Sequence, residues 1–152
     1  MRRALWLWTG VNLFLFLVDR ISRTLAFHQP AGTIIPNLLE SQPTTNTGVA
    51  LGIALPGPLT YSLIATLIVV VAIIVRSAYQ RQEAFRFGAG LLVGFGALSN
   101  VLDRLAYGAV RDFLKFNFWP TTANLGDWMI TVGTLLLILA SVPRRHTRPP
   151  AP

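Results

Sequence analysis

Hydrophobic positions fall along this chain in four long uninterrupted runs. Residues 4–18 carry no charge and end at Asp19; residues 58–75 end at Arg76; residues 87–102 end at Asp103; residues 128–142 lie between Asp127 and Arg144. With a flanking turn added, each run approaches the length that crosses a hydrocarbon core of about 30 Å. None has the polar face of an amphipathic helix packed on a water-soluble core. The pattern predicts four transmembrane helices, at about 4–25, 57–76, 86–105 and 125–143. Between the first two, Thr33-Ile34-Ile35 and Thr44-Thr45-Asn46-Thr47-Gly48-Val49 are β-branched runs punctuated by Pro and Asn. They predict a short hairpin or half-sheet on the membrane surface within about 28–56. The connection 104–125 carries Phe113, Phe116, Phe118 and Trp119 and reads as a loop with an interfacial aromatic belt.

Composition agrees. The chain has 152 residues, 53% of them hydrophobic and 12% charged, against about 25% charged in a soluble domain. Residues 1–143 read as one membrane domain and 144–152 as a basic, Pro-rich, disordered cytoplasmic tail. Arg2 and Arg3, then Arg76, Arg81 and Arg86, then Arg144, Arg145 and Arg148 fall on one side of four crossings. The positive-inside rule makes that side the cytoplasm. The net charge of +7 is thus mainly topological, and a nucleic-acid partner is not expected. The basic, apolar start could be a cleavable signal peptide, but Asp19-Arg20-Ile21-Ser22-Arg23 interrupts where a cleavage site should lie. An uncleaved first helix is the expectation.

The six acidic residues are the informative chemistry. Asp19, Asp103, Asp112 and Asp127 all fall at the outer face in this topology, with Asp112 in the loop after the third helix. Ionisable groups at membrane depth are costly and tend to mark function. A plainer reading pairs Asp19 with Arg23 at i,i+4 and Asp103 with the adjoining Arg104. It suits Asp127 poorly, because no basic residue lies within ten positions of it, although Asp127 could cap a helix. Asn100, Asp103 and Arg104 share one helical face, and Asn46 and Asn124 bring amides to the outer connections. Asn12 is expected to pack internally, and Gly90-Leu91-Leu92-Val93-Gly94 to be a close helix-packing face.

Other chemistries are poorly supplied. There are no cysteines, so Cys nucleophiles and Cys-ligated zinc are excluded. His28 and His146 fall on opposite sides of the membrane, which removes a two-His metal site, no metal being expected, and the single lysine, Lys115, has no suitable serine nearby for a Ser–Lys dyad. Paired carboxylates are the best-equipped option.

Four blocks of residues, in order, resemble the type II (lipoprotein) signal peptidases. They are Asp19-Arg20-Ile21-Ser22-Arg23; Asn46-Thr47-Gly48-Val49-Ala50; Gly96 to Arg104 continuing through Tyr107-Gly108-Ala109-Val110-Arg111-Asp112-Phe113; and Asn124-Leu125-Gly126-Asp127. The third block is long and specific. The resemblance implies four transmembrane helices, an extracytoplasmic β-cradle and a short amphipathic segment. It implies catalysis by Asp112 and Asp127, supported by Asp19, Asn46, Gly48, Asn100, Asp103, Arg104 and Asn124, with Arg23 fixing a helix end through Asp19. It implies a plasma-membrane enzyme that needs no cofactor and cuts diacylglyceryl-modified prolipoproteins before the lipidated Cys. Membrane lipid is its other expected partner, and a monomer is expected. Asn46 and Asn124 would orient the substrate backbone. The chain departs from the family pattern at Arg23, Ser99, Ala123, Gly126 and Trp128, the last bearing on substrate preference. Two rivals are a non-proteolytic four-helix transporter or scaffold, and a divergent paralogue cutting another membrane peptide.

Overall fold

A computed structural model describes residues 2–49 and 55–142. In chain order they form α1 (Arg2–Phe27), β1 (Gly32–Ile35), β2 (Leu39–Asn46), α2 (Gly57–Gln80), α3 (Ala84–Tyr107), β3 (Val110–Phe116), β4 (Thr122–Ala123) and α4 (Leu125–Ser141). The basic tail expected at 144–152 lies outside the described residues.

Helices α1, α2 and α3 are long and apolar enough to cross a membrane. Helix α4 is apolar but has 17 residues, about 26 Å at 1.5 Å per residue. Large apolar side chains stand outward along them, among them Trp6, Phe14, Val69, Ile73, Leu135 and Leu139. That is the surface of a chain solvated by lipid tails, where burial of apolar area cannot drive helix association. Close backbone approach replaces it. Helix α3 packs against all three other helices, and its small residues make that possible. A Cβ at Gly88 would overlap the Trp8 ring of α1, and one at Gly90 would lie 2.8 Å from Val75 of α2. One at Gly96 would lie 2.5 Å from the Gly126 carbonyl oxygen of α4. Gly94 faces Val71 of α2, so the GxxxG is a packing face as expected. Asn12 is fully buried and donates from Nδ2 to the carbonyls of Trp8 (2.8 Å) and Gly88 (3.2 Å).

The four strands form one antiparallel sheet in the order β1-β2-β3-β4. The first hairpin supplies only half of it. The other half comes from the segment after α3, which corrects the expectation of a loop there: Asp112 lies in a strand, opposite Thr44, with Asn46 opposite Val110. The physical reason is that Val110 to Leu114 are buried on both faces, so the polar–apolar alternation of a half-exposed strand is missing. Gly108 makes the turn into β3. Its φ of +74° is the left-handed helix cap that favours glycine, and its N–H bonds the Arg104 carbonyl. Among the described residues no helix other than these four occurs, and the expected short amphipathic segment is not seen there.

Candidate active site

The site grows from a polar cluster where α1, α3, β3 and α4 meet. Arg23 and Asp19, both fully buried on α1, are joined Nε to Oδ2 at 2.8 Å. This is the expected i,i+4 pair, and it extends further. Arg23 Nη1 reaches Asp103 Oδ2 at 2.9 Å, and Nη2 donates to Asn100 Oδ1 at 2.8 Å and Asn124 Oδ1 at 2.7 Å. Asp19 also accepts from Ser99 Oγ and from the Gly126 N–H at 2.9 Å. Removing one partner of such a buried set leaves an uncompensated charge. The cluster therefore locks α1, α3 and α4 in one register.

Asp103 does not pair with its neighbour Arg104, as the sequence suggested. It binds Arg20 (2.6 Å), Arg23 (2.9 Å) and Arg111 (3.1 Å), plus the Arg111 backbone N–H at 2.9 Å. Adjacent helical residues point about 100° apart, so Asp103 faces α1 and β3 while Arg104 faces the other way. Arg104 donates to the Gly48 carbonyl at 2.6 Å. Its Nε has no hydrogen-bond partner among the described residues. Arg20, Arg111 and Ser99 are the residues sequence reasoning missed. The available signal was their place inside the matched blocks, beside acids that had to be paired if buried.

Asp112 and Asp127 come together through Asn124. Asp112 is 1% exposed; its Oδ1 accepts from Asn124 Nδ2 at 2.5 Å and its Oδ2 from Asn46 Nδ2 at 3.2 Å. Burial pushes its carboxyl up to about 6, opposed by the Asn124 bond and reinforced by the charge of Asp127. Asp127 accepts from Asn100 Nδ2 at 2.8 Å and from the Asn124 N–H at 3.2 Å, while its own N–H donates to Asn124 Oδ1 at 2.8 Å. The last two bonds are a capping box. The plain reading of Asp127 as a helix cap thus holds, and the cap leaves its carboxylate on the cavity wall. Asn124 is fully buried; its Oδ1 accepts from Arg23 and from the Asp127 N–H while its Nδ2 donates to Asp112, so it bridges the two aspartates. Asn46 likewise holds Asp112, and its Oδ1 accepts from the Gly48 N–H at 2.8 Å.

A cavity of ≈ 700 Å³ opens beside this cluster. Asn46, Asn100, Arg104 and Asp127 form its polar part, and α2, α3 and α4 supply apolar walls such as Leu63, Leu67 and Ile130. Trp128 forms another wall, set edge-on to Phe116 with ring centres 5.5 Å apart. Among the described residues no group of three or more His, Cys, Asp or Glu is placed to hold a metal.

Comparison with known proteins agrees with this geometry. The family model described as signal peptidase (SPase) II matches residues 11–143. A lipoprotein signal peptidase of Aquifex aeolicus is 34% identical over 149 residues, covering 91% of this chain and 87% of that protein. One from Chlorobium phaeovibrioides is 36% identical over 143 residues, covering 80% and 82%. In fold, the chain is similar to a bacterial membrane enzyme solved by the in meso method at 1.9 Å resolution, with TM-score 0.72 and 24% identity over 88% of this chain and 90% of that one. A match of this extent shows that the chain is a peptidase and belongs to the signal peptidase II family.

Proposed function

We propose that this protein is a membrane aspartyl endopeptidase that removes signal peptides from diacylglyceryl-modified prolipoproteins, with Asp112 and Asp127 as its catalytic dyad. The observation that carries the proposal is the joint hold of Asn124 on both carboxylates, one of which, Asp127, lies on the polar part of a largely apolar cavity.

Two adjacent carboxyls in a site of low dielectric share one proton, because ionising both is costly. The charged member takes a proton from a water as its oxygen attacks the scissile carbonyl carbon. The protonated member donates to the oxyanion, giving a gem-diol. The second carboxylate, now ionised, takes back a hydroxyl proton as the C–N bond breaks, and the proton held by the first carboxyl goes to the leaving amine. Asp127 reaches the cavity directly, whereas Asp112 lies behind it, so the water is approached from the Asp127 side. Arg104, on the cavity wall, is placed to bind a substrate carbonyl. The rest of the cluster holds the helix ends that carry these groups.

Membrane placement follows the same reading. Helix α4 is the fourth crossing, shortened because its N-terminal cap carries Asp127 at the interface. The basic residues place both termini in the cytoplasm and the dyad at the outer face. Helices α2 and α4 each pack on α3 rather than closely on each other, and the cavity lies between them. A lipidated precursor can thus enter laterally while its acyl chains stay in hydrocarbon. A monomer suffices, since one chain supplies the whole site.

The test compares cleavage of one precursor, with and without its diacylglyceryl group, by purified enzyme in lipid. Cleavage before the lipidated Cys and little or none of the unmodified form is expected. Equal rates on both would remove the substrate assignment.

A further inference from the structure

Asparagine amides present a carbonyl oxygen on one side and an NH2 on the other, and either can face a carboxyl depending on its protonation. In this site three amides turn their NH2 groups to the dyad, Asn100 to Asp127 and both Asn124 and Asn46 to Asp112, and two of them, Asn100 and Asn124, share a second partner. Their oxygens face the same atom, Arg23 Nη2, at 2.8 and 2.7 Å. We propose that Arg23 is a positioning residue for the dyad, holding both amide oxygens with one guanidinium nitrogen so that an N–H donor meets each catalytic aspartate. The inference rests on the dyad reading above and adds to it what orients the dyad's partners.

A guanidinium has no acceptor, so the group facing Nη2 must be an oxygen. The hold is unequal. Asn124 Oδ1 also accepts from the Asp127 N–H, whereas Asn100 Oδ1 has Arg23 alone among the described hydrogen bonds. Without Arg23, Asn100 can turn and accept from a protonated Asp127, which favours the wrong protonation state. Asn46 is held by the Gly48 N–H instead and is independent of Arg23.

In this chain the fork of the arginine makes all these contacts with one side chain. Nε is committed to Asp19, Nη1 to Asp103, and Nη2 spans the two amides. A lysine ammonium keeps the charge without that planar reach. The space for Nη2 comes from Gly126: a Cβ there would stand 2.7 Å from Arg23 Nη2 and 3.0 Å from Asn124 Oδ1. Arg23 and Gly126 are therefore one coupled unit. The other charged or titratable groups facing the site are Asp19 on α1, Asp103 and Arg104 on α3, Arg111 on β3 and, beside Arg104, Tyr61 on α2. Each of them is kept in the variants below.

The experiment measures kcat and KM against pH for cleavage of a lipidated precursor by Arg23→Lys, Gly126→Ala and the double variant, with thermal melting in parallel. Losing N–H donors raises the proton affinity of both carboxyls, so the acid limb, set by ionised Asp127, should move up by about half a unit or more, and the alkaline limb, set by protonated Asp112, should move in the same direction. At the optimum kcat should fall about tenfold, the worth of one buried hydrogen bond, while KM stays within about twofold. The double variant should show no further shift beyond Arg23→Lys, because the two changes break one contact. An unmoved limb in any folded variant, or effects that multiply as for independent sites, would overturn the proposal. So would failure of all three to fold, which would mark Arg23 as structural only. Absence of cleavage by the unaltered enzyme would count instead against the dyad reading.

Discussion

At the scale of single residues, the proton of Asp112 is the quantity to follow. Its carboxyl is held near 6 in the fold against about 3.9 in an unfolded chain. The folded state therefore binds that proton more tightly. The stability it contributes is complete below about pH 4 and is lost as pH rises through about 6. Above that the protein carries a buried carboxylate at a cost to its stability, a common exchange of stability for activity. Asn46 opposes the shift by donating to the ionised form. Replacing Asn46 by Ala is expected to move the alkaline limb of kcat/KM to higher pH, by up to about one unit, with little change on the acid side. A pH–rate profile checks this, and a limb moved to lower pH would contradict the assignment.

At the scale of elements, glycine contacts set where the helices meet and hence where the carboxylates stand. A methyl at Gly96 would press on the Gly126 carbonyl at 2.5 Å and on Met129 and Ile130 at 3.0 Å. Gly96→Ala is expected to cost about 1–3 kcal/mol of stability and to lower activity by displacing the start of α4, which carries Asp127; melting and turnover of the purified variant measure both. The helices were legible in the sequence because each apolar run ends on a charge. The pairing of Asp19 with Arg23 was legible because i,i+4 fixes it. Strand β3 was not, since burial on both faces removed its period-two signature and left Asp112 looking like a loop residue. Nor were the partners of Asp103, which are set by how α1 and β3 pack on α3 and not by the neighbouring Arg104. The coupling role of Asn124 was hidden for the same reason: it depends on a cap, a strand and a helix 101 positions away in sequence meeting at one amide.

At the scale of the whole molecule, polar and apolar parts divide the work. Apolar side chains face outward along the helices, small residues bring the backbones together, and nearly all buried charge is gathered at one end of the bundle. Among the described residues, that end is where two carboxyls and a water would meet beside hydrocarbon. The claim on which the account depends is that Asp112 and Asp127 act as one unit on the scissile bond. The direct measurement is cleavage of a lipidated precursor by purified Asp112→Asn and Asp127→Asn, each first shown to insert in lipid and to melt cooperatively. Expected is no cleavage above background by either variant, with Asp112→Asn relieved of its buried charge above pH 6. Turnover by either at the rate of the unaltered protein would contradict the dyad.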